Sequence, residues 1–322
     1  MTASKPLLAV LGPTATGKSA LAIAIARRVD GEIINCDSTA VYRGFDIGTD
    51  KVALADQGGI PHHLIDIADP NAEYTAADYA RDASRVVSDV QARGRVPIVA
   101  GGTGFYFRAL TRGLFPGPGK SDELRARLSR TANRRGDGFL WRMVRRVDPA
   151  SADRILPGDH KRLVRALEVY FQTGKPLTAH FADTVSPLGP DVAVTALALR
   201  MDLPRLADRL AERVDAQFAA GVLDEVQELL ARGVPPTARP FGGLVYRQVM
   251  EYLRGVRSLG ATRDLIVQEN RRYARRQLIW FRKEPNLIWF EGPGELPEVQ
   301  TRVLGGLAER GLSIVRGPAA HG

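Results

Sequence analysis

The stretch Gly12-Pro-Thr-Ala-Thr-Gly-Lys18-Ser19 decides the fold that this sequence predicts. An apolar run from Leu7 to Leu11 precedes it, and a helix-forming run from Ala20 to Arg28 follows it. Between a strand and a helix, the pattern G-x-x-x-x-G-K-[ST] is typical of a loop whose N–H groups and helix N-terminus bind phosphate. Lys18 would reach the outer phosphate, and Ser19 would ligate Mg²⁺. The stretch therefore predicts a site for a di- or triphosphate.

Length and composition place the chain among globular proteins. It has 322 residues, 44% of them hydrophobic, which suffices for one large domain or two modest ones. The sequence has no apolar run of membrane-spanning length, and Met1 to Pro6 leads straight into the first strand, so we expect no signal peptide. A single cysteine, Cys36, excludes an intramolecular disulfide and a cysteine-based zinc site. We expect a cytoplasmic protein without membrane contact.

Positive charge is concentrated in one segment. The net charge is +9, yet residues 1–119 carry 12 basic and 12 acidic side chains. Residues 120–175 carry 14 basic and 7 acidic side chains. Such a block suggests a polyanionic partner larger than one phosphate group. It also fits a solvated, arginine-rich helical face, and composition leaves the two interpretations open.

The first 110 residues alternate strands and helices. Strands are expected at residues 7–11, 31–36, 63–67 and 95–100, with a helix from 76 to 93 between the last two. This alternation predicts an α/β fold with a parallel sheet, like that of phosphate-loop NTPases. Ligands of such sheets lie at the carboxyl ends of the strands.

A different pattern begins after the linker at residues 113–119. Helices without strands are expected at 122–134, 138–147 and 159–173, and a second linker at 183–190. Residues 192–199 are strand-like and would return the chain to the sheet, before helices at 204–219, 222–232, 243–254 and 261–283 and a strand at 287–290. We predict a sheet core from residues 1–119 and 186–322, with a basic all-helical domain inserted at 120–185. The end, from about Arg316, is expected to be frayed.

Two strand ends carry candidate site residues. Asp37 follows the second strand and would ligate Mg²⁺, act as a general base or cap a turn. Thr103, in a glycine-rich stretch after the fourth strand, would hold a phosphate oxygen or cap a helix.

Arginines and lysines on predicted helices are further candidates. Arg209 and Arg213 are four residues apart, and either would complete a diphosphate clamp or lie on the surface. Lys161 and Arg165 share one helical face, which suits phosphate contact, although Arg165 and Glu168 also have the spacing of a surface ion pair.

Several segments in this order resemble one family, the tRNA dimethylallyltransferases, also called tRNA isopentenyltransferases. The resemblance spans roughly residues 6–290, and its most specific block is Asp37-Ser-Thr-Ala-Val-Tyr-Arg43 followed by Asp46-Ile-Gly-Thr49. The other matching segments are Gly12–Ser19, Pro61–His63, Gly101–Tyr106, Arg165–Val169, Tyr246–Gln248 and Arg275–Arg282.

The resemblance implies transfer of a dimethylallyl group from dimethylallyl diphosphate to N6 of the adenosine 3′-adjacent to the anticodon, in tRNAs reading codons that begin with U. Asp37 would be the general base, and Lys18, Thr103 and Arg213 would complete the catalytic set, with Mg²⁺ on Ser19. The diphosphate would lie on the loop residues Gly12, Pro13, Thr14, Ala15, Thr16, Gly17, Lys18 and Ser19.

The resemblance also implies which residues contact the tRNA. They are Asp37, Ser38, Thr39, Ala40, Thr103, Arg125, Lys161, Arg162, Leu163, Val164, Arg165, Gly242, Gly243, Leu244, Val245, Tyr246 and Arg247. The inserted domain would clasp the anticodon stem-loop, and we expect a monomer.

One departure from the family pattern lies in this set. The family usually has Gly before Tyr246-Arg247, and here Val245 occupies that position. Three other functions are considered. The basic block argues against an isopentenyltransferase for free adenine nucleotides. The Asp37–Thr49 block argues against a small-molecule phosphate-loop kinase, and the intact Lys18, Ser19 and Asp37 argue against a non-catalytic RNA-binding module.

Overall fold

A computed structural model describes residues 4–312. The expected frayed end, from about Arg316, lies outside the described residues. The chain divides into two compact units, one holding the described residues up to Thr111 and from Pro187 onward, the other Arg112–Ser186. The second unit thus includes the linker that precedes the expected boundary at residue 120.

Six parallel strands form the sheet of the first unit. They are β1 (Lys5–Leu11), β2 (Gly31–Asn35), β3 (His62–His63), β4 (Val96–Gly101), β5 (Val192–Arg200) and β6 (Ile288–Glu291). Their spatial order is β3-β2-β4-β1-β5-β6. The α/β prediction is confirmed, and β5 returns to the sheet beside β1.

Alternation along β1 builds two apolar layers. Leu7, Ala9 and Leu11 belong to the cluster on one face of the sheet, and Leu8 and Val10 belong to the cluster on the other. Because successive side chains of a strand point to opposite faces, a strand covered on both sides is apolar throughout. The fully buried run from Leu7 to Leu11 has this character.

The helices of the first unit cover both faces of the sheet. They are α1 (Lys18–Val29), α2 (Ala76–Ala92), α3 (Gly104–Arg112), α8 (Leu203–Ala219), α9 (Val222–Ala231), α10 (Tyr246–Leu253), α11 (Leu259–Phe281) and α12 (Pro297–Ala308). A capping box between Thr75 and Asp78 fixes the start of α2. No helix within residues 4–312 combines the length and apolarity needed to cross a membrane.

The second unit is helical. Its helices are α4 (Asp122–Arg135), α5 (Phe139–Val147), α6 (Pro149–Arg154) and α7 (His160–Thr173). They enclose a core that includes Leu128, Leu140, Val144, Leu163 and Leu167.

Several element boundaries differ from the predictions. The strand expected at 63–67 ends at His63, because Leu64 and Asp66 have positive φ angles of 61° and 56° that leave the extended region. The helix expected from residue 243 begins only at Tyr246. Helices α6 and α12 were not predicted.

Candidate active site

The loop after β1 is shaped to receive an anion. Gly12 has φ +138°, and a Cβ there would lie 2.6 Å from the carbonyl oxygen of Leu199, so only glycine fits. Thr16 is buried and its hydroxyl donates to the carbonyl of Pro13 at 2.8 Å. From Ala15 to Ser19, the backbone N–H groups donate to no other group in the described part of the chain. A run of free N–H groups at a helix N-terminus can bind an anion such as phosphate.

Side chains from distant segments brace this loop from outside. Gln277 accepts from the Thr14 N–H at 2.9 Å and donates to the carbonyl of Gly102 at 2.9 Å. Arg209 donates to the carbonyl of Ala15 at 2.8 Å and forms an ion pair with Glu295 at 2.5 Å. The amide of Thr14 is therefore engaged within the protein, unlike those that follow it.

Lys18 lies at the entrance to α1 and lines the pocket. Its ammonium donates to the carbonyl of Pro13 at 2.6 Å. Burial and, to a smaller extent, the neighbouring Arg213 lower the pKa of Lys18 to about 7, while Asp37 opposes the shift. A negatively charged ligand at the loop would stabilise the protonated form.

Asp37 presents one free carboxylate oxygen to the same pocket. Its Oδ1 accepts from the Thr39 N–H at 2.8 Å and the Thr39 hydroxyl at 2.6 Å. The Asn35 side chain fixes the backbone of Asp37 through two bonds of 3.2 Å. Within residues 4–312, Oδ2 has no hydrogen-bond partner, so the turn-capping role of Asp37 leaves an oxygen available for chemistry.

Thr103, which follows β4, hydrogen-bonds residues that follow β2, behind the pocket wall. Its N–H donates to the carbonyl of Cys36 at 3.0 Å, and its hydroxyl accepts from the Ser38 N–H at 3.0 Å. The hydroxyl also donates to the Ser38 hydroxyl at 3.4 Å. Thr103 thereby orders Ser38 at the pocket.

Arg213, and not Arg209, faces the pocket. The Arg213 Nη2 group forms an ion pair with Asp50, and both residues line the cavity. Arg209 instead braces the outside of the loop, as its bonds to Ala15 and Glu295 show.

The cavity between these groups has a volume of about 500 Å³. It brings together many of the predicted site residues, namely Thr14, Lys18, Ser19, Asp37, Ser38, Thr39, Ala40, Arg213, Gly242, Gly243, Leu244, Val245 and Arg247.

Tyr246 packs in the hydrophobic core behind the pocket wall. Its ring meets those of Phe45 and Phe241 edge-on, and its hydroxyl donates to Glu225 at 2.7 Å. Val245, the departure from the family pattern, has φ +71° and ψ −62° and a buried side chain. That γ-turn conformation is rare for a β-branched residue and is easily adopted by glycine.

In the helical unit, arginines surround a buried carboxylate. Glu168 accepts two bonds of 2.8 Å from Arg125, one of 2.7 Å from Arg165 and one of 2.8 Å from the Ser121 N–H. Burial would raise the pKa of Glu168, but these partners lower it to about 2.

The remaining predicted tRNA contacts of this unit divide by burial. Lys161 and Arg162 are exposed on α7, whereas Leu163 and Val164 are packed in the core of the unit. The side chains of Leu163 and Val164 are therefore not available to an RNA. Within the predicted stretch, only the charged side chains can contact the tRNA.

Comparisons with known proteins agree with this geometry. A sequence model described as "IPP transferase" matches residues 40–284. A tRNA dimethylallyltransferase from Geobacter metallireducens is 43% identical over 93% of this chain and 96% of its own length. Another from Symbiobacterium thermophilum is 46% identical over 92% of each chain. The chain belongs to the IPP transferase family.

Solved structures agree with this assignment. A tRNA isopentenylpyrophosphate transferase from Bacillus halodurans matches with a TM-score of 0.68 at 33% identity, covering 95% of this chain and 98% of that one. A eukaryotic dimethylallyltransferase acting on tRNA matches with a TM-score of 0.80 at 24% identity, covering 98% of this chain and 82% of that one. The latter likeness supports the fold.

Sequence reasoning missed several residues of the IPP transferase pocket. Asp50 and Gln217 line it, and Gln277 and Glu295 hold the loop. Asp50 and Gln217 stand in no recognisable motif, and Asp50 meets Arg213 and Gln217 only when α8 packs beside the loop after β2. Gln277 was part of a matching segment, but no role was expected for it.

Proposed function

We propose that this enzyme transfers a dimethylallyl group from dimethylallyl diphosphate to N6 of the adenosine 3′-adjacent to the anticodon, in tRNAs reading codons that begin with U. One observation carries the proposal. A single pocket joins the free N–H groups of the phosphate loop, with Lys18 and Arg213, to the unpaired oxygen of Asp37. The donors that would bind the diphosphate and the carboxylate that would act as the base therefore face the same pocket.

The chemistry follows from this arrangement. The bond between C1 of the allyl group and the diphosphate oxygen breaks as a bond from N6 to C1 forms. Donors at the loop stabilise the charge that develops on the leaving diphosphate. Asp37 Oδ2 takes the proton that N6 loses, which helps a weakly nucleophilic exocyclic amine.

Mg²⁺ is part of the proposal. Within residues 4–312, no group of three or more His, Cys, Asp or Glu side chains could hold a metal ion by itself. The exposed Ser19 hydroxyl is a hard oxygen donor in the pocket, and Mg²⁺ is often held by one or two protein oxygens together with substrate phosphates. When bound there it would neutralise diphosphate charge.

The RNA is proposed to approach the pocket wall through Ser38–Ala40 and Gly242–Arg247. The helical unit would contact the anticodon stem-loop, supported by the 14 basic and 7 acidic residues between 120 and 175. The adenosine must leave its stack to reach Asp37, which is cheapest in a single-stranded loop. We propose that the enzyme acts as a monomer.

The test is transfer of radiolabelled dimethylallyl diphosphate to an unmodified anticodon stem-loop, with AMP and ATP as competing acceptors. We expect label in the RNA that disappears when the acceptor adenosine is changed to guanosine. Asp37→Asn should keep RNA binding, because its Oδ1 still caps the Thr39 turn, and should lose label transfer about 10²- to 10⁴-fold. Label in AMP or ATP, or ATP turnover without alkylation, would refute the proposal.

A further inference from the structure

The loop after β2 brings a second carboxylate to the pocket. Asp50 lines the cavity together with Asp37, and it forms an ion pair with the Nη2 group of Arg213. Gln217, one turn after Arg213 on α8, donates its Nε2 group to the same Asp50 oxygen. A carboxylate inside an anion-binding pocket repels the anion, so its presence calls for a specific role.

The loop that carries Asp50 is firmly held. Glu225 of α9 accepts from the N–H groups of Asp46 at 2.8 Å and Ile47 at 2.7 Å. Tyr246 accepts from the Gly48 N–H at 3.1 Å. Asp50 itself has φ +51°, a left-handed conformation that aspartate tolerates better than most residues. Asp50 is therefore a fixed point against which a flexible side chain can be aligned.

Arg213 needs such a fixed point because its side chain is long and about a third exposed. Asp50 occupies one edge of the guanidinium. Across the described residues, the Nε and Nη1 groups of Arg213 have no partner. A guanidinium can bridge a carboxylate on one edge and a phosphate on the other, since its five N–H donors lie in one plane.

We infer that Asp50 is a positioning residue, which holds the Arg213 guanidinium over the phosphate loop so that its remaining donors meet the diphosphate of the allylic substrate. The inference rests on the proposed function, because it assigns a diphosphate to the pocket. Its net effect is tighter diphosphate binding, since alignment of Arg213 outweighs the repulsion between Asp50 and the ligand. Asp50 touches neither reacting atom.

The test is a double-mutant cycle between Asp50→Gly and Arg213→Ala. Glycine suits the positive φ at residue 50, so the variant removes the carboxylate without straining the loop. The measured quantities are the Kd of inorganic pyrophosphate, the KM of dimethylallyl diphosphate, the KM of the RNA stem-loop and kcat. Asp50→Asn keeps the backbone conformation and one acceptor, and Asp215→Ala removes a matched aspartate from an arginine pair on the solvent side of α8.

We expect Asp50→Gly to raise the pyrophosphate Kd and the dimethylallyl diphosphate KM about tenfold, with the RNA KM unchanged. Asp50→Asn should restore part of the loss, and Asp215→Ala should resemble the parent. In the Arg213→Ala background, Asp50→Gly should have no further effect, because its action passes through that guanidinium.

Two results would overturn the inference. An equal Asp50→Gly effect with and without Arg213 would mean that Asp50 acts independently of it. Tighter pyrophosphate binding in Asp50→Gly would mean that the carboxylate only repels the ligand. A parent protein that binds pyrophosphate normally but alkylates no RNA would refute the proposed function alone, and the binding cycle would still decide the role of Asp50.

Discussion

Among the carboxylates that pair with arginines in this protein, Glu168 and Asp50 do so in different ways. Glu168 in the helical unit is buried and receives two arginines and a backbone N–H, with the Arg125 contact bidentate. Asp50 in the α/β unit is partly exposed and receives one edge of Arg213 and the Gln217 amide. We therefore expect the saturated Glu168 cluster to stabilise its unit, and the remaining donors of Arg213 to be available to a ligand.

The largest effect is expected at Arg213. Arg213→Ala should lower kcat/KM for dimethylallyl diphosphate about 10²- to 10³-fold, because a donor to the leaving group is lost. Its free energy of unfolding should change by less than about 1 kcal/mol, since the Asp50 partner left behind reaches solvent. Arg232→Ala, which breaks an exposed pair with Glu228 on α9, is the control and should change neither quantity. If Arg213→Ala unfolded readily but kept its transfer rate, Arg213 would stabilise the fold and would not bind the ligand.

Glu168→Ala should affect stability strongly. Removing this buried carboxylate takes away an acceptor that two arginines and the Ser121 N–H share, which should destabilise the helical unit by about 3 kcal/mol. Hydrogen exchange of α4 and α7, followed by mass spectrometry, would measure the loss locally. Unchanged protection of both helices would show that the Glu168 cluster does not stabilise the unit.

Acid should reveal the same cluster in the parent protein. The pKa of Glu168 is lowered from 4.5 to about 2, so its contribution is fully present above pH 4.5 and is lost as the pH falls through about 2. The stability difference between the parent and Glu168→Gln should therefore shrink over that window. A difference that stays constant down to pH 2 would contradict the assignment.

A smaller effect is expected from the titration of Lys18. Since burial lowers its pKa to about 7, the free pocket loses a positive charge at higher pH. The Kd of pyrophosphate should rise toward tenfold per pH unit above 7. Lys18→Arg, which stays charged, corrects for titration of the ligand itself and should show a flatter profile. Equal slopes in the two proteins would place the titrating group elsewhere.

The smallest effect tests strain in the pocket wall. Val245→Ala keeps the unfavourable positive φ and loses two buried methyl groups, whereas Val245→Gly loses the side chain but relieves the strain. We expect Val245→Gly to be more stable than Val245→Ala by about 1 kcal/mol in urea unfolding. The opposite order would show that the wall at residue 245 is unstrained.

Prediction succeeded where short segments carry their own physical signal. The Gly12–Ser19 loop, the strand β1 before it and the helices α1, α2 and α8 follow from glycine positions, apolar runs and helical spacing. Prediction failed at 63–67, because an apolar stretch with turn residues does not reveal positive φ angles at Leu64 and Asp66. It also left open whether Arg209 or Arg213 lines the pocket, since the two residues are one helical turn apart and their spacing does not distinguish them.

Short segments of the sequence were enough to indicate a phosphate loop, a parallel sheet, a basic insertion and a family, because each of these signals is carried by residues that are close in sequence. The distribution of arginine donors was not accessible in this way. Arg125 and Arg165 converge on Glu168, Arg209 turns outward to Glu295 and Arg213 meets Asp50 across more than 160 residues. Hydrogen bonds depend on distances of about 3 Å, and only the packing of helices against the sheet sets such distances.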